Sequence, residues 1–260
     1  MPHPRLRAPA LLLSALLIAA CTGSDKSTTG PTAPPKPPIT YVAVGASETV
    51  GTGADKPQTE AWPRVLADML GKDGRQVTFT GLGFGGAQVA EALASTVPKA
   101  EKLQPDLVTV WLNVNDLVNG LRGVGTPAAF EQKLGELVQR LRREGATTVL
   151  VANTPALDRL PAYRDCLDPA GTRCLLPPAF RQFMPQPDAL NARVDSYNQA
   201  IAQIVQREGA VLVDLHAASL KARAEGKEES YVSADGFHPS TAGHAAVAAT
   251  FAEAAEKAGV

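Results

Sequence analysis

Five short runs rich in β-branched and apolar residues, at 39–44, 76–80, 107–112, 147–152 and 211–215, restrict the fold of this chain more than any other feature. Runs of that length and composition suit strands covered on both faces of a parallel sheet, where neither face meets water. The stretches between them have helical periodicity. In residues 61–70, Trp62, Val65, Leu66, Met69 and Leu70 recur on one face, and Gly71 stops the pattern. Thr126-Pro127 opens a long amphipathic segment in which Phe130, Leu134, Leu137, Val138 and Leu141 return at helical spacing. Residues 91–103, interrupted by Pro98, residues 190–208 and an alanine-rich stretch ending at Gly259 complete the set. Strand and helix alternate throughout. This predicts an α/β chain with three layers, helix over sheet over helix, around a five-stranded parallel sheet with right-handed crossovers.

The 260 residues are enough for one large domain with a well-buried core. A formal net charge of −1, with no basic stripe beyond the N-terminus, argues against nucleic acid as a partner. Residues 1–20 read as a targeting segment. Arg5 and Arg7 supply a basic start, and the apolar run at 8–20 is too short to span a bilayer. That run ends in Leu17-Ile18-Ala19-Ala20-Cys21, which resembles the lipobox of bacterial lipoproteins. The resemblance implies an exported, membrane-anchored protein with Cys21 as its lipidated N-terminus. Residues 21–38, with Pro31, Pro34, Pro35, Pro37 and Pro38, cannot bury enough apolar surface to fold and read as a semi-extended tether. The globular domain is expected over 39–260.

Export bears on the two other cysteines. Cys166 and Cys174 are an even pair in an oxidising compartment and are expected to form a disulfide; two free thiols are the alternative. No histidine lies near them in sequence, which argues against a metal site. They fall within residues 153–189, an irregular insertion with seven prolines, expected to form a lid or specificity loop, with its centre around 156–189.

The chemistry-bearing residues cluster where strands end. Gly45-Ala46-Ser47 closes the first strand, and a serine there faces the crevice in which open α/β sheets bind ligands. Gly81-Leu82-Gly83-Phe84-Gly85-Gly86-Ala87 follows the second. Its glycines match a dinucleotide-binding spacing, but no acidic residue follows at the expected distance. A tight turn and a backbone donor aimed at an anion are the other readings. Asn113-Val114-Asn115-Asp116 ends the third strand, as a helix cap or as part of a site. His216 follows the fifth strand and reads as a structural histidine. Asp235-Gly236-Phe237-His238-Pro239 precedes the last helix, where Ser240 is a plausible cap and His244 a packing or surface residue.

Taken together, Gly45-Ala46-Ser47, Gly86, Asn115 and Asp235-Gly236-Phe237-His238-Pro239 resemble, in residue type and in order, the blocks of the SGNH hydrolases, also called GDSL esterases and lipases. The resemblance covers residues 39–260 and implies a flavodoxin-like sheet, serine esterase activity on a small-molecule ester, and no metal or organic cofactor. It implies Ser47 as nucleophile, His238 as base and Asp235 as the group that fixes the imidazole. It further implies an oxyanion hole made by the backbone N–H of Ser47, the backbone N–H of Gly86 and the side-chain amide of Asn115.

Two positions depart from the family pattern. Ala46 stands where aspartate is usual, forfeiting local hydrogen bonds at the nucleophile turn. Asn113 stands where glycine is usual and is expected to narrow the crevice. A lipid, lysophospholipid or acetylated carbohydrate ester fits the sequence equally well. A ligand-binding surface lipoprotein without chemistry is the alternative function.

Overall fold

The computed structural model of the protein describes residues 36–174 and 176–260. The targeting segment, Cys21 and the tether up to residue 35 lie outside the described residues. From Ile39 onward the alternation expected from sequence is found. β1 (Ile39–Gly45) passes straight into α1 (Ser47–Val50), and α2 (Pro57–Glu60) and α3 (Trp62–Leu70) return the chain to β2 (Val77–Gly81). α4 (Val89–Ser95) and α5 (Val97–Leu103) precede β3 (Leu107–Trp111), and α6 (Val114–Leu121) and α7 (Pro127–Arg142) precede β4 (Thr148–Ala152). After β4 come α8 (Pro161–Leu167), α9 (Pro178–Arg181) and α10 (Pro187–Glu208), followed by β5 (Val211–Val213), α11 (Leu215–Ala224) and α12 (Thr241–Lys257).

The strands lie in the order β2-β1-β3-β4-β5, with every neighbouring pair parallel. The order changes direction beside β1, so the carboxyl ends of β1 and β3 flank the crevice that a doubly wound sheet leaves for ligands. Alternation along each central strand divides the core in two. Val42, Val44, Val108, Val110, Val149 and Val151 face α4, α7 and α10, whereas Tyr41, Ala43, Leu107, Trp111 and Leu150 face α3 and α12. On the second face Trp62 stacks on Phe251 at 4.3 Å between ring centroids, an arrangement worth about 0.5–1.5 kcal/mol beyond the area it buries. On that face the buried hydroxyls of Tyr41 and Thr109 are joined by a 3.0 Å hydrogen bond, so neither is orphaned.

Four elements differ from expectation, each for a local reason. Ser47 begins a short helix instead of sitting in a plain turn. Pro98 separates two helices rather than kinking one, because proline fits the first turn of α5 but not the interior of a longer helix. β5 stops at Val213 because the Asp214 side chain accepts the Ala217 N–H and starts α11, a helix absent from the sequence reading. The insertion at 153–189 is not irregular throughout. It holds α8 and α9, the Cys166–Cys174 disulfide, and a bidentate ion pair from Arg173 to Asp165 at 3.0 and 3.2 Å. Arg173 and the backbone amides beside it hold the Asp165 carboxyl at about 2.

Candidate active site

The turn that carries Ser47 is shaped by close approach. A Cβ on Gly45 would collide with the Thr49 hydroxyl, and one on Gly83 would lie 2.8 Å from Thr49 Cβ and 3.1 Å from Ala46 O. Only glycine at both positions lets the β2 turn lie against α1. Ala46 caps α1 with no side-chain hydrogen bond, as its substitution for aspartate implies, and its carbonyl accepts from Thr49 and Val50 instead. Thr49, held between the two glycines, supports the turn through packing. The first N–H groups of a helix have no partner within it, and Ser47 N–H donates to no other protein group among the described residues.

Across the crevice, the loop before α12 brings its acid and base together. His238 Nε2 lies 3.0 Å from Ser47 Oγ, and His238 Nδ1 lies 2.6 Å from Asp235 Oδ2. The other carboxylate oxygen accepts the Ser233 hydroxyl at 2.7 Å, Phe237 N–H at 2.8 Å and His238 N–H at 3.0 Å. Burial would raise the Asp235 carboxyl, but the hydrogen bonds from His238, Phe237 and Ser233 outweigh it and hold the group at about 2. Asp235 is therefore ionised at neutral pH and can only accept. Nδ1 must carry the ring proton, which leaves Nε2 free to accept from Ser47.

This loop is braced on both sides. A Cβ on Gly53, at φ +95°, would collide with Pro239 O and lie 3.1 Å from His238 Cβ, so the backbone at Gly53 packs directly against the histidine loop. On the far side Ala162 N–H donates to Gly236 O at 3.0 Å, and a Cβ on Gly236 would lie 2.8 Å from that nitrogen. The insertion, expected as a lid or specificity loop, buttresses the histidine loop through this contact.

The third component is the glycine-rich turn. Gly86 has φ +75° and open space where a Cβ would stand, so conformation alone requires glycine there. Its N–H makes no backbone hydrogen bond among the described residues. Asn115 is fixed to this turn by a 3.0 Å bond from Nδ2 to Ala87 O, which leaves its second amide proton available. Beside it, Asp116 accepts Val89 N–H at 3.1 Å, and burial pushes its carboxyl up to about 6.

Other sequence expectations fall out differently. Asn113 does not narrow the crevice. It is buried, and its Nδ2 donates to Ala152 O at the end of β4. His244 is wholly buried: Nδ1 accepts Trp62 N–H, Nε2 donates to Thr52 O, and burial lowers its pKa. His216 is the structural histidine anticipated, bonded to Thr154 O and Asn153. Ser240 caps α12 by accepting Gly243 N–H. Sequence reasoning missed Ser233 and the brace at Gly53; the glycine pair Gly51 and Gly53 was the available signal for the second.

Among the described residues, no group of three or more His, Cys, Asp or Glu is arranged to hold a metal, and no helix is long and apolar enough to cross a membrane. The arrangement offers a hydroxyl, a base that can take its proton and a carboxylate that orients the base.

Residues 43–246 match the GDSL-like Lipase/Acylhydrolase family. The chain is 28% identical over 104 residues to an arylesterase of Vibrio mimicus, covering 40% of this chain and 50% of that protein. It is 31% identical over 112 residues to esterase TesA of Pseudomonas aeruginosa, covering 43% and 53%. The matched stretch spans about half the length of each of these relatives. The solved structure of LAE5, an α/β hydrolase enzyme from the metagenome of Lake Arreo, superposes with a TM-score of 0.62 at 22% identity, covering 84% of this chain and 95% of that one.

Proposed function

The chain belongs to the GDSL-like lipase/acylhydrolase family, and from that premise we propose that it is a carboxylic ester hydrolase that works through an acyl-enzyme on Ser47. The observation that carries this reading is the connected series Ser47 Oγ, His238, Asp235, with contacts of 3.0 and 2.6 Å. Ser47 Oγ attacks the ester carbonyl carbon while its proton passes to His238 Nε2. Asp235, already ionised, stabilises the imidazolium that results and keeps the ring from turning. The charge that develops on the carbonyl oxygen is met by Ser47 N–H, Gly86 N–H and the free amide proton of Asn115. Collapse of the tetrahedral intermediate breaks the bond to the alcohol, which leaves with the proton from Nε2. Water then attacks the acyl-enzyme by the same route, with His238 again the base.

Hydrolysis of short-chain nitrophenyl esters and labelling by a fluorophosphonate probe test this directly. Both are expected of the unaltered chain and both are lost in Ser47→Ala; labelling that survives the substitution overturns the proposal. The substrate is proposed to be a lipid, lysophospholipid or acetylated carbohydrate ester. Rates compared across acyl chain length and against acetylated sugars distinguish these. The protein is further proposed to be exported and anchored through lipidated Cys21, a reading supported by the sequence of residues 5–21. Incorporation of labelled palmitate into the full chain, absent in Cys21→Ser, is the expected outcome.

A further inference from the structure

α7 and α10 carry the chain back to the start of β4 and β5, because neighbouring parallel strands need a crossover that returns. Their amino ends therefore lie at the edge of the sheet that holds Ser47. The two helices are neighbours, with the rings of Phe130 and Tyr197 4.7 Å apart. The turns that lead into them meet as well: the Arg122 guanidinium stands 5.0 Å over the Phe180 ring. On this rim stand Val124, 58% exposed, and Phe183, 64% exposed, the two most exposed large apolar side chains among the described residues. Both turns are held by backbone bonds, from Val124 N–H to Asn119 O at 2.9 Å and from Phe183 N–H to Phe180 O at 3.0 Å. Beside them Val118, Leu121 and Met184 are half-buried against the core. Exposed apolar side chains that are single and scattered are ordinary. Two on one rim, continuous with half-buried apolar neighbours and beside a crevice, mark a surface that meets a partner.

Charge narrows the partner. Residues 119–130 and 176–187 contain Arg122 and Arg181 and no acidic residue. Arg181 is engaged inward, donating to Gly171 O. Arg193 on α10 reaches the same end of α6, since a Cβ on Gly120 would lie 3.5 Å from its Nη1. Neither Arg122 nor Arg193 forms an ion pair among the described residues. The nearest acids along α10, Asp188 and Asp195, lie on a different side of the helix from Arg193, because each residue turns it by about 100°. We propose that this rim docks on an anionic lipid bilayer, with Phe183 and Val124 entering the acyl boundary and Arg122 and Arg193 meeting lipid phosphates. The choice of a lipid surface as occupant rests on the proposed anchor at Cys21, which keeps a bilayer within reach. β1 starts at the edge of the sheet opposite the crevice, so the tether has to span the domain for the rim to touch the membrane. Its residues 21–38 extend to about 55 Å at about 3.1 Å each, against roughly 45 Å across a domain of this length. α6 joins the rim to the site: it holds Asn115 in its first turn and ends at Leu121, about 12 Å along. Docking in this pose turns the crevice toward the bilayer, so that a lipid ester reaches Ser47 directly from it.

Every described strand and helix, and both halves of the core, lie within 36–260. The chain from Thr22 onward therefore tests the rim without the apolar targeting segment or the lipidated cysteine. Its association is measured by sedimentation with vesicles of phosphatidylglycerol or of phosphatidylcholine. Binding to phosphatidylglycerol is expected, weaker in high salt and weaker on phosphatidylcholine. Phe183→Asp and Val124→Asp should each weaken it about tenfold or more. Arg122→Gln should weaken binding to phosphatidylglycerol about fivefold and leave phosphatidylcholine unchanged. Leu220→Asp, which puts the same charge at another exposed apolar position, on α11, should change nothing. Circular dichroism checks that each variant folds; should Phe183→Asp not fold, Val124→Asp and Arg122→Gln decide. Absence of binding to either vesicle, binding that survives both aspartates, or an equal loss in Leu220→Asp overturns the docking surface. So does a dimer that the aspartates dissociate while no vesicle is bound, which would make the rim an interface between copies. Nitrophenyl ester hydrolysis and palmitate labelling run in parallel keep the readings apart. Vesicle binding without hydrolysis overturns only the esterase, hydrolysis without vesicle binding overturns only the docking, and failure of labelling alone overturns only the anchor.

Discussion

Asp235 and Asp116 stand on opposite sides of the crevice and are tuned in opposite directions. Asp235 receives hydrogen bonds from two backbone amides, a serine hydroxyl and an imidazole, and sits at about 2. Asp116 receives the Val89 amide, lies deeper, and sits at about 6. The difference teaches what each side of the site needs. The histidine side needs a permanent negative charge, so the loop surrounds it with donors. The glycine side needs a tether between α6 and the start of α4, and a carboxyl performs that task in either charge state. Their contributions to stability run oppositely with pH. Support from Asp235, depressed below 3.8, is present above that value and lost as pH falls through about 2. The raised Asp116 stabilises below 3.8, and that contribution is lost as pH rises through about 6.

Replacing Asp235 by Asn attacks this contrast most directly. The amide can leave the imidazole in the wrong tautomer, and kcat is expected to fall on the order of 10⁴-fold with the fold intact. A loss of less than tenfold in steady-state ester hydrolysis would mean that the charge does not matter. Next in size, Asn115→Ala removes a donor on the opposite side and should cost on the order of 10²–10³ in kcat with KM little changed. Asp116→Asn comes third and is read in stability. Urea unfolding of the unaltered chain should show stability declining by ~2 kcal/mol between pH 4 and pH 7 from this group, and the variant should flatten that slope. An unchanged slope would mean that Asp116 is not held up by burial. Smallest, Ser233→Ala takes one donor from Asp235 and should cost about 1 kcal/mol in transition-state stabilisation, or several-fold in kcat/KM.

How much of this was legible in the sequence follows from distance along the chain. Asp235 and His238 belong to one turn, and Ser47 ends a strand, so residue type and local spacing sufficed to find them. The sheet was equally plain, because both faces of β1, β3 and β4 are covered and their sequences are apolar without a break. Asn113 was misjudged because a residue at a strand end can turn toward either neighbouring strand, and here the Ala152 carbonyl decides. α11 was missed because Leu215 to Ala224 carries little helical periodicity; the Asp214 cap starts it. His244 was placed loosely because its burial depends on Thr52 and Trp62, nearly two hundred residues away.

The contact between the insertion and Gly236 has a consequence for anyone who would re-engineer this scaffold. A surface loop that only roofed the crevice could be exchanged like a module, changing what enters and nothing else. This one shares a backbone hydrogen bond with the segment carrying the base, so a graft would disturb the histidine's footing. Selection for a new substrate along 153–189 would therefore act on turnover in the same step, and gains in the two traits would have to be won jointly.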